Sequence, residues 1–276
     1  MNRYNFGFVF TEVTMLIVGK YLLNLGFHPY FYGVITGVCA SLIMLKAFKL
    51  HPTKATFIVT LPTIVFFTIA NSLSFMALKY SQLTSYNFLI QSSLLTVPLL
   101  AHWFLKEKIH WLIFPLSLIN LIGIALLVSL NQAGFQFGNV LTLLAAIFVG
   151  LDFVWQKRAA LKINQNIVAF WRRLISSLFL GIFWLMTPSL GTATFSNALI
   201  LIPISLLYVV FSLLMVRALT VQPVADFNLF ITISPVLTAI AAFWLLGETM
   251  TLKQIIGASL IVISIIVYNW YRKTKT

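Results

Sequence analysis

The sequence predicts an all-α polytopic membrane protein: ten transmembrane helices, built as two inverted five-helix repeats around a central cavity. Three observations predict it. Of the 276 residues, 61% are hydrophobic and only 8% charged, with a mean hydropathy of +1.00; a soluble domain carries roughly 25% charged residues. Ten apolar segments follow one another along the chain. The second half also repeats the first at a spacing of 141 residues. At that offset Ala77–Glu107 lies on Ala218–Glu248 without a gap, and nine of 31 positions are identical, among them Asn87/Asn228, Ser93/Ser234, Trp103/Trp244 and Glu107/Glu248. Shared apolar composition would not place Asn, Trp and Glu in one register.

The segments run near 5–26, 30–49, 56–78, 83–105, 109–129, 137–156, 166–187, 197–216, 224–246 and 252–271. Each approaches the ~20 residues that a helix needs to cross the hydrocarbon core. Barrel strands would need only ~9–11 alternating residues, and these runs are longer and continuously apolar. In the first segment Glu12 and Lys20 interrupt the apolar run, and no small-residue cleavage site follows, so a cleavable signal peptide is not expected. The second carries Gly33 and Gly37, a spacing that permits close helix packing. The connections 50–55, 106–110, 131–138 and 188–197 are short and polar, leaving no room for a soluble domain.

Lysine and arginine set the orientation. With the N-terminus inside, 15 basic residues face the cytoplasm and three, Lys20, Lys79 and Lys253, face outward, which predicts both termini in the cytoplasm. The same topology accounts for the formal charge of +13, so nucleic acid is not an expected partner. Five helices per repeat is an odd number. The repeats, 1–132 and 133–276, therefore enter the membrane in opposite directions and place a substrate site near the midplane between them.

The motifs carry a family likeness. They are Trp103-Phe104-Leu105-Lys106-Glu107 and its mate Trp244-Leu245-Leu246-Gly247-Glu248, followed by Thr251-Leu252-Lys253-Gln254-Ile255-Ile256-Gly257-Ala258. To these are added Ala218-Leu219, Pro223-Val224-Ala225 and Ser234-Pro235-Val236. On these residues the whole chain resembles ten-helix members of the drug/metabolite transporter superfamily, of the EamA type found in bacterial inner membranes. The first repeat departs at Leu116, where the motif has glycine. The resemblance implies two EamA repeats, a central cavity, and export or exchange of small metabolites.

Helical spacing nominates the cavity face. Tyr80, Thr84, Asn87 and Gln91 are spaced 4, 3 and 4 in the fourth segment, and Ala225, Asn228, Thr232 and Pro235 form the matching face of the ninth. Tyr86, Trp155, Trp171 and Tyr208 fall on helices expected to line the cavity. Such amides either bind substrate or join helices, the latter worth ~0.6 kcal/mol per hydrogen bond. Two carboxylates lie within the apolar segments. Glu12 either binds an amine or coupling proton or balances Lys20, and Asp152 either does the same or pairs with Lys157 or Arg158. Arg172 and Arg173 open the seventh segment and are assigned to topology or lipid-headgroup contact, and Glu107, Glu248 and Asp226 to helix-end caps or ion pairs.

Aromatic walls with amides and few basic residues at mid-depth suit an amino acid or related amine. The alternatives are an organic cation, a nucleoside or a sugar. No clustered nucleophile or acid pair indicates an intramembrane enzyme, and no carbonyl filter or charged ring indicates a channel. No cofactor is expected, the single Cys39 and four scattered histidines suggest no metal, and the expected partners are a small-molecule substrate and the bilayer, with the protein a monomer or weak dimer.

Overall fold

A computed structural model describes residues 3–80, 86, 89–108, 110–128, 137–246 and 251–275. Among these residues it forms eleven α-helices: α1 (Arg3–Asn24), α2 (Pro29–Ala47), α3 (Lys54–Tyr80), α4 (Ser93–Leu105), α5 (Ile113–Val128), α6 (Phe137–Ala160), α7 (Gln165–Met186), α8 (Phe195–Val221), α9 (Val224–Ile231), α10 (Ser234–Leu246) and α11 (Leu252–Lys275). Eight stretches are long and apolar enough to cross a membrane, α9 with the start of α10 counting as one, and α4 and α5 are shorter apolar helices.

Local chemistry sets the helix ends. His28 caps α2, its Nδ1 accepting from the Tyr30 and Phe31 N–H groups, and Pro29 follows at the first turn where its missing donor costs nothing. Thr194 accepts from the Asn197 N–H at the start of α8. α4 ends on Lys106 in the left-handed conformation, φ 56°. The outer surface is apolar, with Phe10, Leu185, Phe195 and Leu252 all more than two-thirds exposed, which in water would be a large liability and in lipid is the solvent-facing side.

The 141-residue register reappears in the helix boundaries. α3 and α8 are both 27 residues long, their ends 141 residues apart, and each holds an internal proline at the same step, Pro62 and Pro203. α4 and α10 are both 13 residues long and likewise 141 apart. Each follows a turn at the same register, Gln91–Ser92 in one half and Thr232–Ile233 in the other, so the ninth segment is a broken helix rather than a continuous one. The packing follows suit: α3 packs on α6 while its mate α8 packs on α1, and α3 packs on α7 while α8 packs on α2.

Glycine permits the tightest crossings. A Cβ on Gly37 would strike the Ser177 side chain of α7 and come within 3.3 Å of the Arg173 Cδ, and one on Gly33 would lie 2.6 Å from Leu180. α2 therefore lies directly on the stem of an arginine. On the far side of the bundle, a Cβ on Gly123 would lie 2.8 Å from the Gly257 carbonyl, where α5 and α11 cross.

Candidate functional site

A cavity of about 170 Å³ lies at the centre of the bundle, walled by α1, α2, α3, α4, α6, α7 and α8 and by Ile231 at the end of α9. Its wall includes Leu23 and Leu78 in the last turns of α1 and α3, so it extends toward that end of the bundle. Toward the other end it stops at an aromatic layer. The Phe8 ring lies 4.7 Å from Phe211 and 5.1 Å from Phe227, and Phe153 lies 5.5 Å from Phe227.

Beyond that layer polar groups tie the helix ends together. Lys157 Nζ meets Glu107 Oε1 at 2.6 Å and donates to the Gln222 carbonyl at 2.7 Å. Glu107 Oε2 accepts from the Val224 N–H at 2.9 Å, and the Gln222 and Asn5 side-chain amides exchange hydrogen bonds at 2.8 and 3.2 Å. Residues from α1, α6, the α4–α5 connection and the α8–α9 junction are thereby joined.

The cavity's charged groups come from three helices. Asp152 of α6 receives a two-pronged interaction from Arg172 of α7, Nη2 to Oδ2 at 2.5 Å and Nε to Oδ1 at 3.0 Å, and a third bond from the Thr63 hydroxyl at 2.5 Å. Pairing of this kind offsets part of the cost of withdrawing two ions from water. The Phe67 ring contacts both guanidinium groups, its centroid 3.6 Å from Arg172 Cζ and 5.0 Å from Arg173 Cζ. Arg173 also stands over Tyr208 at 4.9 Å and donates Nε and Nη2 to the Ser212 hydroxyl. The Tyr208 hydroxyl donates to Tyr32 at 3.0 Å. Glu12 of α1 lines the same cavity, and its Oε2 is buried with no hydrogen-bond partner.

The structure sorts the residues that the sequence nominated. Glu12, Asp152, Tyr86 and Gln91 line the cavity. Tyr80 does not: it ends α3, is 41% exposed and sets its ring against Phe137. Trp155 also faces away, packing on Phe104 with Arg158 over its ring. Asn228 and Thr232 are buried between helices outside the wall; Asn228 accepts from Ser93, and Thr232 donates to Asn120. Asn87, Thr84 and Glu248 lie outside the described residues.

Three expectations about charge need correction. Arg172 and Arg173 do not sit at the lipid headgroups but are buried, 1% and 3% exposed, in the cavity wall. Basic groups are therefore present at the site. Asp152 pairs with Arg172, whereas Lys157 pairs with Glu107. The Lys20 ammonium donates to the Leu78 carbonyl at 2.9 Å, and no salt bridge joins it to Glu12 among the described residues. One signal for the arginines was present in the sequence: they stand eight and nine residues into α7, too deep for a helix end. Among the described residues no three His, Cys, Asp or Glu side chains come together in a set able to hold a metal ion.

Comparison with known proteins agrees with this architecture. A solved crystal structure, described only as that of a protein, superposes with a TM-score of 0.77 over 99% of this chain and 98% of its own, at 14% sequence identity. That likeness shows the fold. No curated protein matches the chain. Residues 136–270, the stretch from α6 into α11, match the EamA-like transporter family, a match consistent with the drug/metabolite transporter superfamily, and the apolar helices make the chain a multi-pass membrane protein.

Proposed function

We propose that the protein is a secondary carrier that moves an amino acid or a related small amine-bearing metabolite across the inner membrane by alternating access, in the export direction. The observation that carries this is the central cavity. It is walled from both halves of the chain, lined by Tyr32, Phe67, Phe75, Tyr86 and Tyr208, and supplied with a carboxylate at Glu12 whose Oε2 has no hydrogen-bond partner. An ammonium group fits that oxygen and those ring faces.

The 141-residue spacing of α3 to α8 and α4 to α10 supports two repeats, 1–132 and 133–276, each of five membrane spans. Odd-numbered repeats invert, and with Arg172 and Arg173 set aside as cavity residues the remaining basic residues still divide 13 to 3, which supports cytoplasmic termini. In that orientation the Glu107–Lys157 and Asn5–Gln222 contacts are at the cytoplasmic face. The cavity is then shut on that side and extends toward the periplasm, one of the two states that alternating access requires. The carrier works as a monomer or weak dimer, since the cavity is completed within one chain.

Purified protein in liposomes tests this. Saturable counterflow of radiolabelled L-phenylalanine, L-leucine or phenethylamine, without consumption of the solute, is the expected result. Unitary currents across a planar bilayer, or a C-terminal reporter active only in the periplasm, would refute the carrier and its topology respectively.

A further inference from the structure

Of the two guanidiniums in the cavity wall, Arg173 has no carboxylate within ion-pair distance among the described residues. Arg172 spends Nε and Nη2 on Asp152, and its Nη1 is buried without a hydrogen-bond partner. The Arg172 side chain is 2% exposed. Arg173 is 3% exposed and, among the described residues, makes its side-chain hydrogen bonds only to the hydroxyl of Ser212. A hydroxyl is neutral and cannot compensate the charge. Asp152 is the one carboxylate within ion-pair distance of either arginine among the described residues. Two guanidiniums thus face one carboxylate, and both border open space.

Charge buried in a membrane protein is costly and is retained where it faces a bundle interior or a substrate path. A structural role is complete with Arg172 alone, because it already neutralises Asp152. Arg173 adds a second cation beside the first, which that role does not need. The flanking rings, Phe67 at 5.0 Å and Tyr208 at 4.9 Å, fix its plane and supply partial electrostatic compensation in the absence of an anion. A planar guanidinium with unspent N–H groups matches a carboxylate in two-point geometry.

We propose that Arg173, with the unspent Nη1 edge of Arg172, is a carboxylate-binding subsite of the central cavity, so that the cargo carries a carboxylate in addition to its amine. This rests on the carrier assignment above and narrows it: a zwitterion is selected over a simple amine, its ammonium meeting Glu12 and its carboxylate meeting Arg173. Ser212 is the group that holds Arg173 until the cargo arrives.

The test uses purified full-length protein in lipid-free detergent and four probes on one skeleton: L-phenylalanine, its amide L-phenylalaninamide, phenethylamine and 3-phenylpropionate. Succinate serves as a fifth, amine-free probe. Wild-type protein should bind L-phenylalanine about 10- to 100-fold more tightly than its amide or phenethylamine, the range expected for one charge-assisted contact. Arg173→Gln should erase that preference and abolish binding of 3-phenylpropionate, leaving phenethylamine unchanged; Arg173→Lys should keep part of it. Equal wild-type affinity for the acid, the amide and the amine overturns the subsite, and that comparison stands even where Arg173→Gln fails to fold. Arg173-dependent binding of succinate with no binding of any amine keeps the subsite and overturns the amino-acid cargo. Binding of none of the five at millimolar concentration overturns both.

Discussion

Phe67 and Tyr208 stand 141 residues apart and flank the same guanidinium, their ring centroids 5.0 and 4.9 Å from Arg173 Cζ. Arg173 itself stands 141 residues after Tyr32, whose hydroxyl is 3.0 Å from that of Tyr208. Two pairs of equivalent positions therefore meet at the centre of the bundle. One pair has kept its aromatic character, Phe against Tyr. The other differs, Tyr against Arg, and that difference makes the meeting point of the 141-residue register chemically one-sided.

Glu12 lines the cavity with no salt bridge among the described residues, and Glu12→Gln keeps its shape while removing its charge. Flux in liposomes should fall at least about tenfold, the size of one lost charge-assisted contact. The melting temperature should not drop, because an amide is easier to bury than a carboxylate. If the double variant Glu12→Gln with Lys20→Met recovers flux, Glu12 only balances Lys20 and is not a binding group.

Asp152→Asn should leave Arg172 buried beside Arg173 without its carboxylate partner. Removing one member of a buried ion pair costs about 3–5 kcal/mol. The variant should melt at lower temperature and accumulate less in the membrane, and adding Arg172→Gln should recover most of that loss. A double-mutant cycle measured by detergent melting reads the coupling; purely additive losses would show that the two side chains act independently.

Glu107→Gln removes the charge that holds Lys157 at 2.6 Å while leaving an oxygen for the Val224 N–H. Loosening that end of the bundle should expose the cavity from the Asn5 side. In a Cys39→Ser background, a Val149→Cys reporter in the cavity wall should label faster from the cytoplasmic side, by about tenfold if the lost contact is worth about 1.4 kcal/mol. Unchanged labelling would mean that the Phe8, Phe211, Phe227 and Phe153 layer keeps the cavity shut without the polar contacts.

His28 lies between α1 and α2 and titrates against the fold. Its Nδ1 accepts from the Tyr30 and Phe31 N–H groups, so the proton resides on Nε2, 2.6 Å from the Thr187 carbonyl. Burial holds its pKa below the ordinary 6.5; the Thr187 carbonyl opposes that shift and the Lys79 charge adds to it. The unfolded chain then takes up a proton before the folded one does. The contribution of His28 is complete above pH 6.5 and is lost as pH falls below it toward the depressed folded value. Melting of the wild type should decline across that window, and His28→Asn, which keeps a cap acceptor and cannot titrate there, should flatten the decline.

The sequence by itself determined the solvent and carried the 141-residue register. Lipid offers no hydrogen bonds, so each span must satisfy its backbone within apolar helix, and that demand is written locally in every segment even where, as in the ninth, the helix is interrupted by a turn. It also marked Glu12 and Asp152 as notable, since a carboxylate in an apolar run is conspicuous wherever the helix turns. Only the tertiary structure decided which way each helix faces and which charges meet. Arg172 read as a residue near a helix start until Asp152, on a different helix, came to within 2.5 Å. Tyr80 and Gln91 share a helical face only if the helix is unbroken, and the chain ends α3 at Tyr80 and turns at Gln91. Hydropathy reports the medium around a segment; the rotation of a helix and the partner of a buried charge come from packing between residues far apart in the chain, as at Gly37 against Ser177 and Arg173.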